Sequence, residues 1–369
     1  MTDHTPRSPL AAERRAHVLA ELASEGAVRI SELIEDLGVA PVTLRRDLAQ
    51  MEDEGLLVRV HGGAVPAEGR AMTPPSPAVV AAPRETATVA VLVPSLNYYW
   101  PAVVRGLEAE ARHHGLRVLL RGASYELQDE RPVLQRLVDS EKISGLIVAP
   151  NTDTPHAQDV VEWLADSGIP FVLVERDAVT LADGEPVEST TTDHALGAVL
   201  AARHLAGLGH KRVGLVLSRN SPTSRKIADG WHRACEDLKL KPSRHVETLV
   251  PDRLSPDFTS EVNAVLDSMM AAGITGLLVH SDPEAMAVVD LALNRGIKVP
   301  DDLSIIAYDD EVAQLFTPSL TAISPPRASV GRSAVELLAH RITNPDRPVH
   351  RVMLSPQLIV RESTAAPRV

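Results

Sequence analysis

The sequence predicts an α/β protein in two parts: a small helical unit closed by a hairpin, then a larger body of two parallel-sheet lobes. Three observations predict this. Residues 10–66 hold three short helical periods followed by a glycine turn. From Thr88 to about Thr364, short β-branched runs alternate with amphipathic stretches of roughly 15 residues. The length, 369 residues, exceeds one ordinary domain of roughly 100–200 residues.

In the small unit, Leu10, Val18, Leu19 and Leu22 give the first helix its apolar stripe, which ends near Glu25-Gly26. Ser31 is placed to cap a second short helix, with Glu32 and Glu35 in its early turns and Gly38 as its stop. Pro41 suits the first position of a third helix, where its missing N–H does no harm. Leu44, Leu48 and Met51 form that helix's buried stripe, and Gly55 ends it. Leu56 to Val60, His61-Gly62-Gly63 and Ala64-Val65 then read as a hairpin. Helix, short helix, tight turn, helix and hairpin make a winged helix-turn-helix plan.

Residues 66–86 form a linker with Pro74, Pro75, Pro77 and Pro83, semi-rigid rather than a free coil. Strands are then expected at 88–93, 116–120, 145–149, 170–174, 212–217, 245–250, 275–280 and 303–308. The alternation predicts parallel sheets of right-handed βαβ units. The series restarts near Arg212, which implies two lobes with a cleft between them. The expected organisation is therefore 1–65, 66–86 and 87–365.

Hydrophobic residues at 44% and charged residues at 23% are ordinary for a globular chain with a sizeable core. The single cysteine, Cys235, excludes a disulfide framework and a thiolate zinc site. No apolar run marks a signal peptide or a membrane span, so the expected location is the cytoplasm. No membrane partner is expected. A net charge of −12 does not favour bulk attraction to nucleic acid. No nucleophile elbow, phosphate loop or HExxH zinc motif occurs, so neither a cofactor nor a metal is expected.

The third helix can enter a major groove with its first residues, Val42, Thr43, Arg45 and Arg46, toward base edges and phosphates. Adjacent arginines on a helix point about 100° apart, so one can meet a base while the other grips phosphate. Arg59, His61 and the Gly62-Gly63 tip are placed to touch the flanking backbone or the minor groove. The alternative is a solvated arginine face. Residues 1–63 carry seven basic and eleven acidic residues, a balance of −4, so the arginines must cluster on one face.

Arg14, Val18, Leu22, Ala40 and Thr43-Leu44-Arg45-Arg46-Asp47-Leu48, with the wing Leu56 to Ala64, resemble the DeoR-type helix-turn-helix signature over about 55 residues. The resemblance implies a bacterial transcription regulator in which Thr43, Arg45 and Arg46 face operator DNA and Asp47 orients an arginine.

Ligands in open α/β sheets sit at the carboxyl ends of strands. After the first strand of the body come Tyr98, Tyr99 and Trp100, three of only ten aromatics in the chain. A core-only account of three contiguous aromatics is strained; flat rings suit the C–H face of a sugar. The alternative is that one ring anchors the helix and the others pack between the lobes. Polar groups recur at the other strand ends: Tyr125 with Ser124 and Glu126, Asn151, Glu175 with Arg176 and Asp177, Ser218 to Arg225, His280-Ser281-Asp282, and Asp309-Asp310. Ser281 and Asp282 also read as helix caps, and His280 as a packing residue.

Residues 88–364 resemble the LacI/GalR-type effector domain, similar to periplasmic sugar-binding proteins. The carrying segments are TVAVLVPS at 88–95, Arg105 to Glu108, Gly145 to Pro150, Gly168 to Val172, His204 to Val213, Gly230-Trp231, Val299 to Asp310, Thr317 to Thr321 and Val360 to Thr364. The resemblance implies a sugar-like effector, with Tyr99 and Trp100 as the aromatic pair and Asp309 as the ligand-binding acid. Ile227 stands where that family usually has a ligand arginine, with Arg225 two residues earlier. Ser281 and Pro325 replace an asparagine and a polar residue. That family's own DNA-binding head and hinge helix are absent; the expected action of the ligand is to close the cleft and rotate the lobes within a homodimer, changing the spacing of the two heads.

The expected function is a ligand-controlled transcription repressor. A sugar hydrolase using Glu175 and Asp309, and a transport binding protein, are the competing readings. A phosphorylated sugar is a second effector class.

Overall fold

The computed structural model describes residues 11–25, 28–53, 56–60, 63–66, 87–123, 129–140, 142–151, 154–181, 183–219, 221–242, 247–251 and 253–368. The expected helix stops Gly26 and Gly55, the candidate site residues His61, Gly62 and Tyr125, and linker residues 67–86 lie outside them. The chain divides into two compact units, Met1–Arg84 and Glu85–Val369.

The first unit contains α1 (Ala11–Glu25), β1 (Val28–Arg29), α2 (Ile30–Leu37), α3 (Pro41–Asp53), β2 (Leu57–Val60) and β3 (Gly63–Pro66). Val18, Leu22, Leu33, Leu44, Leu48, Met51 and Leu57 close its core. The hairpin gains a third strand: β1 pairs antiparallel with β3, giving the order β1-β3-β2. Two residues are too few to show a strand period. The short strand also moves the start of α2, because pairing holds the backbone extended through Arg29 (φ −105°, ψ 136°). Ser31 therefore lies inside the helix rather than at its cap. Gly63 is needed for the same contact, since a side chain there would meet the Val28 carbonyl oxygen.

The second unit opens with β4 (Thr88–Val93), α4 (Trp100–His113), β5 (Arg117–Gly122), α5 (Arg131–Ser140), β6 (Ile143–Val148), α6 (Ala157–Asp166), β7 (Phe171–Val174) and β8 (Ser189–Thr192). It continues with α7 (His194–Leu208), β9 (Arg212–Ser218), α8 (Ser224–Asp237), β10 (Lys241–Pro242), β11 (Thr248–Val250), α9 (Phe258–Ala272), β12 (Gly276–Val279), α10 (Asp282–Asn294) and β13 (Ser304–Tyr308). It closes with β14 (Thr321–Ser324), α11 (Arg327–Thr343), β15 (Arg351–Leu354) and β16 (Gln357–Ile359).

Two sheets result. The first lobe has the order β15-β8-β7-β6-β4-β5, all parallel. The second has β10-β9-β12-β13-β14-β16, with β11 also on β9 and only β14-β16 antiparallel. Apolar layers cover both faces of each sheet. In the first lobe, α4 and α11 pack on one face, and α5 and α6 on the other. In the second, α9 and α10 oppose α7 and α8.

The lobes interleave along the chain, which corrects the expected restart at Arg212. The second lobe begins at α7, and the chain later returns to the first lobe for α11 and β15. The reason is β8: Ser189-Thr190-Thr191-Thr192 is buried throughout, yet its hydroxyls hide it from a hydropathy pattern. The return is sealed by close helix packing, because a methyl group at Gly331 would strike the Val103 carbonyl of α4. Among the described residues no helix is long and apolar enough to cross a membrane.

Candidate functional site

Two places in the chain have the makings of a site. On α3, Leu44, Leu48 and Met51 turn inward and are fully buried, while Val42 is 73% exposed and Arg46 is exposed. Thr43 is half-buried, and Arg45 follows in the same turn. Two ion pairs brace the helix. Asp47 accepts a hydrogen bond from Arg14 Nε at 2.7 Å, tying α3 to α1. Glu52 accepts from both the backbone N–H (2.9 Å) and Nε (2.7 Å) of Arg59 on β2. The strand sets Arg59 against the end of α3, with its side chain 46% exposed.

In the second unit a cavity of about 520 Å³ opens between the lobes at the carboxyl ends of their strands. Tyr98, Tyr99, Trp100, Glu175 and Arg176 line it from the first lobe. Ser218, Ser221, Thr223, Arg253, His280, Ser281, Glu284 and Asp309 line it from the second, with His194 at the crossing. Three of its residues, Tyr98 (φ 57°), Glu175 (φ 58°) and Asp309 (φ 96°), hold left-handed backbone without being glycine. Such conformations cost about 1–3 kcal/mol each and collect at ligand clamps.

The first-lobe wall is a hydrogen-bond network centred on Glu175, with the buried His194 Nε2 left without a hydrogen-bond partner. Glu175 accepts from the Tyr99 hydroxyl (2.5 Å), the Thr192 hydroxyl (2.8 Å) and the Thr192 N–H (3.0 Å). His194 Nε2 stands 3.4 Å from the same carboxylate. Burial alone would raise the Glu175 pKa, but His194, Tyr99 and Thr192 outweigh it and hold the group at about 2. Tyr99 meets Trp100 edge to face at 5.7 Å, and the Arg176 guanidinium lies 6.0 Å over Trp100. Arg176 donates to the Pro150 carbonyl (2.9 Å) and the Glu175 carbonyl (2.8 Å).

The second-lobe wall sets a histidine beside a carboxylate. His280 is buried with no hydrogen-bond partner for Nδ1, and its Nε2 lies 3.9 Å from Asp309. Burial pushes His280 down to about 4 and Asp309 up to about 6. Arg327, on α11, donates to the backbone carbonyls of Asp309 and Asp310 and holds that turn. Asp177 of the first lobe pairs with Lys226 of the second and with Arg351 (3.1 Å).

Of the residues predicted for the cleft, Tyr99, Trp100, Arg176, Ser281 and Asp309 meet at this cavity. Asp282 does not line it. Its buried carboxylate accepts the N–H groups of Asp310, Glu311, Val312 and Ala313 at 2.7–3.2 Å, so it shapes the loop after β13. Asn151 lies off the wall, its N–H donating to Glu130 (2.8 Å). Arg225 lines an adjacent cavity of about 760 Å³ with Thr154, Arg219 and Glu247, because α8 turns it outward while Ile227 enters the core. Ser281 spends its N–H and hydroxyl on Glu284. Sequence reasoning names Tyr98 among the three contiguous aromatics and His280 at a strand end, but assigns the ligand contact to Tyr99 and Trp100 and reads His280 as a packing residue. The contiguity of the three aromatics is a signal for Tyr98, whose left-handed turn lets all three line one space.

Comparison with known proteins follows the same division. Residues 14–69 match the DeoR-like helix-turn-helix domain, and residues 202–364 match the periplasmic binding protein-like domain. The transcriptional regulator MalR of Streptomyces coelicolor is 30% identical over 291 residues, 77% of this chain and 82% of that protein. The transcriptional regulator DegA of Bacillus subtilis is 26% identical over 298 residues, 80% of this chain and 86% of that protein. A LacI family transcriptional regulator from Enterococcus faecium, solved with bound ribose, has a TM-score of 0.61 at 25% identity, over 76% of this chain and 99% of that one. With a DNA-binding head of DeoR type and a two-lobed effector body, the chain belongs to the LacI family of transcriptional regulators.

Proposed function

We propose that this regulator is a homodimeric, cytoplasmic repressor released from its operator by a neutral sugar bound between the lobes. Its parts are residues 1–65 as the DNA-binding head, 66–86 as the linker and 87–365 as the effector domain. Val42, Thr43, Arg45 and Arg46 contact DNA; Tyr99, Trp100, Arg176 and Asp309, joined by Tyr98 and His280, contact the ligand. The observation that carries the reading is the cavity itself, with aromatic rings on one wall and His280 beside the Asp309 carboxylate on the other. A sugar offers C–H faces to the rings and hydroxyls to the polar groups. The similar Enterococcus regulator with bound ribose supports the same class.

A phosphorylated sugar fits less well. Ile227 is buried where the family's ligand arginine stands, and Arg176 is engaged by two carbonyls. Glu175 adds a fixed negative charge. A regulatory rather than enzymatic role is supported by the relatives, which are transcription regulators.

Thermal-shift screening against neutral sugars and their phosphates tests the reading. A ligand at 100 times its Kd stabilises the folded state by about 2.7 kcal/mol. The expected result is a shift with a neutral sugar, absent in Trp100→Ala, and loss of operator retardation in its presence. A shift that leaves operator binding unchanged would overturn the repressor mechanism.

A further inference from the structure

One exposed apolar side chain in the head has no use in its core. Val42, in the first turn of α3, is 73% exposed, whereas Leu44, Leu48 and Met51 are fully buried. A lone exposed valine is ordinary on most surfaces. This one stands where a DNA-reading helix meets base edges. Arg46 follows at i+4 on the same face and is exposed. One helical turn rises about 5.4 Å, against about 3.4 Å per base-pair step, so the two side chains address bases one or two steps apart. The pairs Asp47–Arg14 and Glu52–Arg59 lock α3 to its neighbours, so Val42 is presented by a rigid element. In the major groove the thymine 5-methyl is the apolar group on a base edge.

We propose that Val42 reads the 5-methyl of one thymine in each operator half-site, one or two base pairs from the contact made by Arg46. This rests on the reading of α3 as the DNA-reading helix and names what that helix selects.

The test begins with the full-length protein and a random duplex pool, from which bound sequences are selected. Each thymine of the selected site is then replaced by deoxyuridine, which lacks only the methyl group. Burying one methyl is worth about fourfold in affinity. The expected result is one thymine per half-site whose replacement weakens wild-type binding about fourfold and leaves Val42→Ala binding unchanged. Val42→Ala should bind the thymine site more weakly by a similar factor and melt at the wild-type temperature. Uridine replacements that are all silent, or that weaken Val42→Ala as much as wild type, overturn the proposal. In that case Arg46→Ala separates the two claims: its loss of binding leaves the helix reading standing. Failure to select any sequence overturns both.

Discussion

The two walls of the interlobe cavity are built on opposite principles. On the first-lobe side, Glu175 is ionised and already surrounded by Tyr99, Thr192 and His194. On the second-lobe side, burial disfavours the charged forms of both His280 and Asp309 and raises the Asp309 carboxyl to about 6. A carboxylate that gathers three donors holds the ring bonded to it in one place. On the other wall an imidazole and a carboxyl 3.9 Å apart, whose charged forms burial disfavours, offer donor and acceptor groups to a ligand hydroxyl. The contrast teaches that one wall is built around a fixed charge and offers shape, while the other is built from titratable groups and offers hydrogen bonds.

Mutations should divide along that line. Glu175→Ala leaves the Tyr99 and Thr192 donors and His194 without their shared acceptor, and should cost about 3–5 kcal/mol in urea denaturation. Asp309→Asn should do the reverse. It removes the cost of burying a charge at pH 7 and should raise the Tm, while weakening effector binding on the order of 100-fold by calorimetry. Equal losses of stability in both variants would erase the distinction between the walls.

The pH dependence sharpens the same comparison within the second wall. His280 titrates at about 4 folded against about 6.5 unfolded, so its contribution to stability is lost as pH falls through that window. Asp309 titrates at about 6 against about 3.8, so its contribution is present at low pH and lost as pH rises toward 6. The two slopes oppose each other between pH 4 and 6. The two contributions cancel there, leaving the gain on acidification from Asp282, whose carboxyl burial raises to about 7. Relative to wild type, His280→Asn should gain stability on acidification and Asp309→Asn should lose it, each by about 2–3 kcal/mol in chemical denaturation at fixed pH. The smallest effect concerns the bond between lobes. Lys226→Met removes a half-exposed pair to Asp177 and should change effector affinity by no more than about fivefold, less at high salt.

Much of this is legible in the sequence, for reasons that also mark where legibility stops. The βαβ strands show because parallel strands buried on both faces are continuous apolar runs, as in TVAVLV at β4. β8 does not, because four buried hydroxyl residues look like a loop. Tyr99, Trp100 and Asp309 are found through strand ends and resemblance. His280 reads as a packing residue, and only the structure sets it in the cavity lining, with Tyr308 (5.4 Å between rings) and Asp309 as neighbours. Asp282 misleads because a polar residue at a strand end looks the same whether it meets a ligand or four backbone N–H groups.

The interleaving of the lobes has a consequence for synthesis. The first lobe starts at β4, yet its α4 packs on α11 and its sheet edge is β15, which ends at Leu354. As the chain leaves the ribosome, the second lobe has all its helices and every strand but β16 before the first lobe has its last helix. The lobe begun first is thus finished almost last. Until then the backbone of α4 at Val103 and Leu107 stays uncovered where Gly331 will later seat.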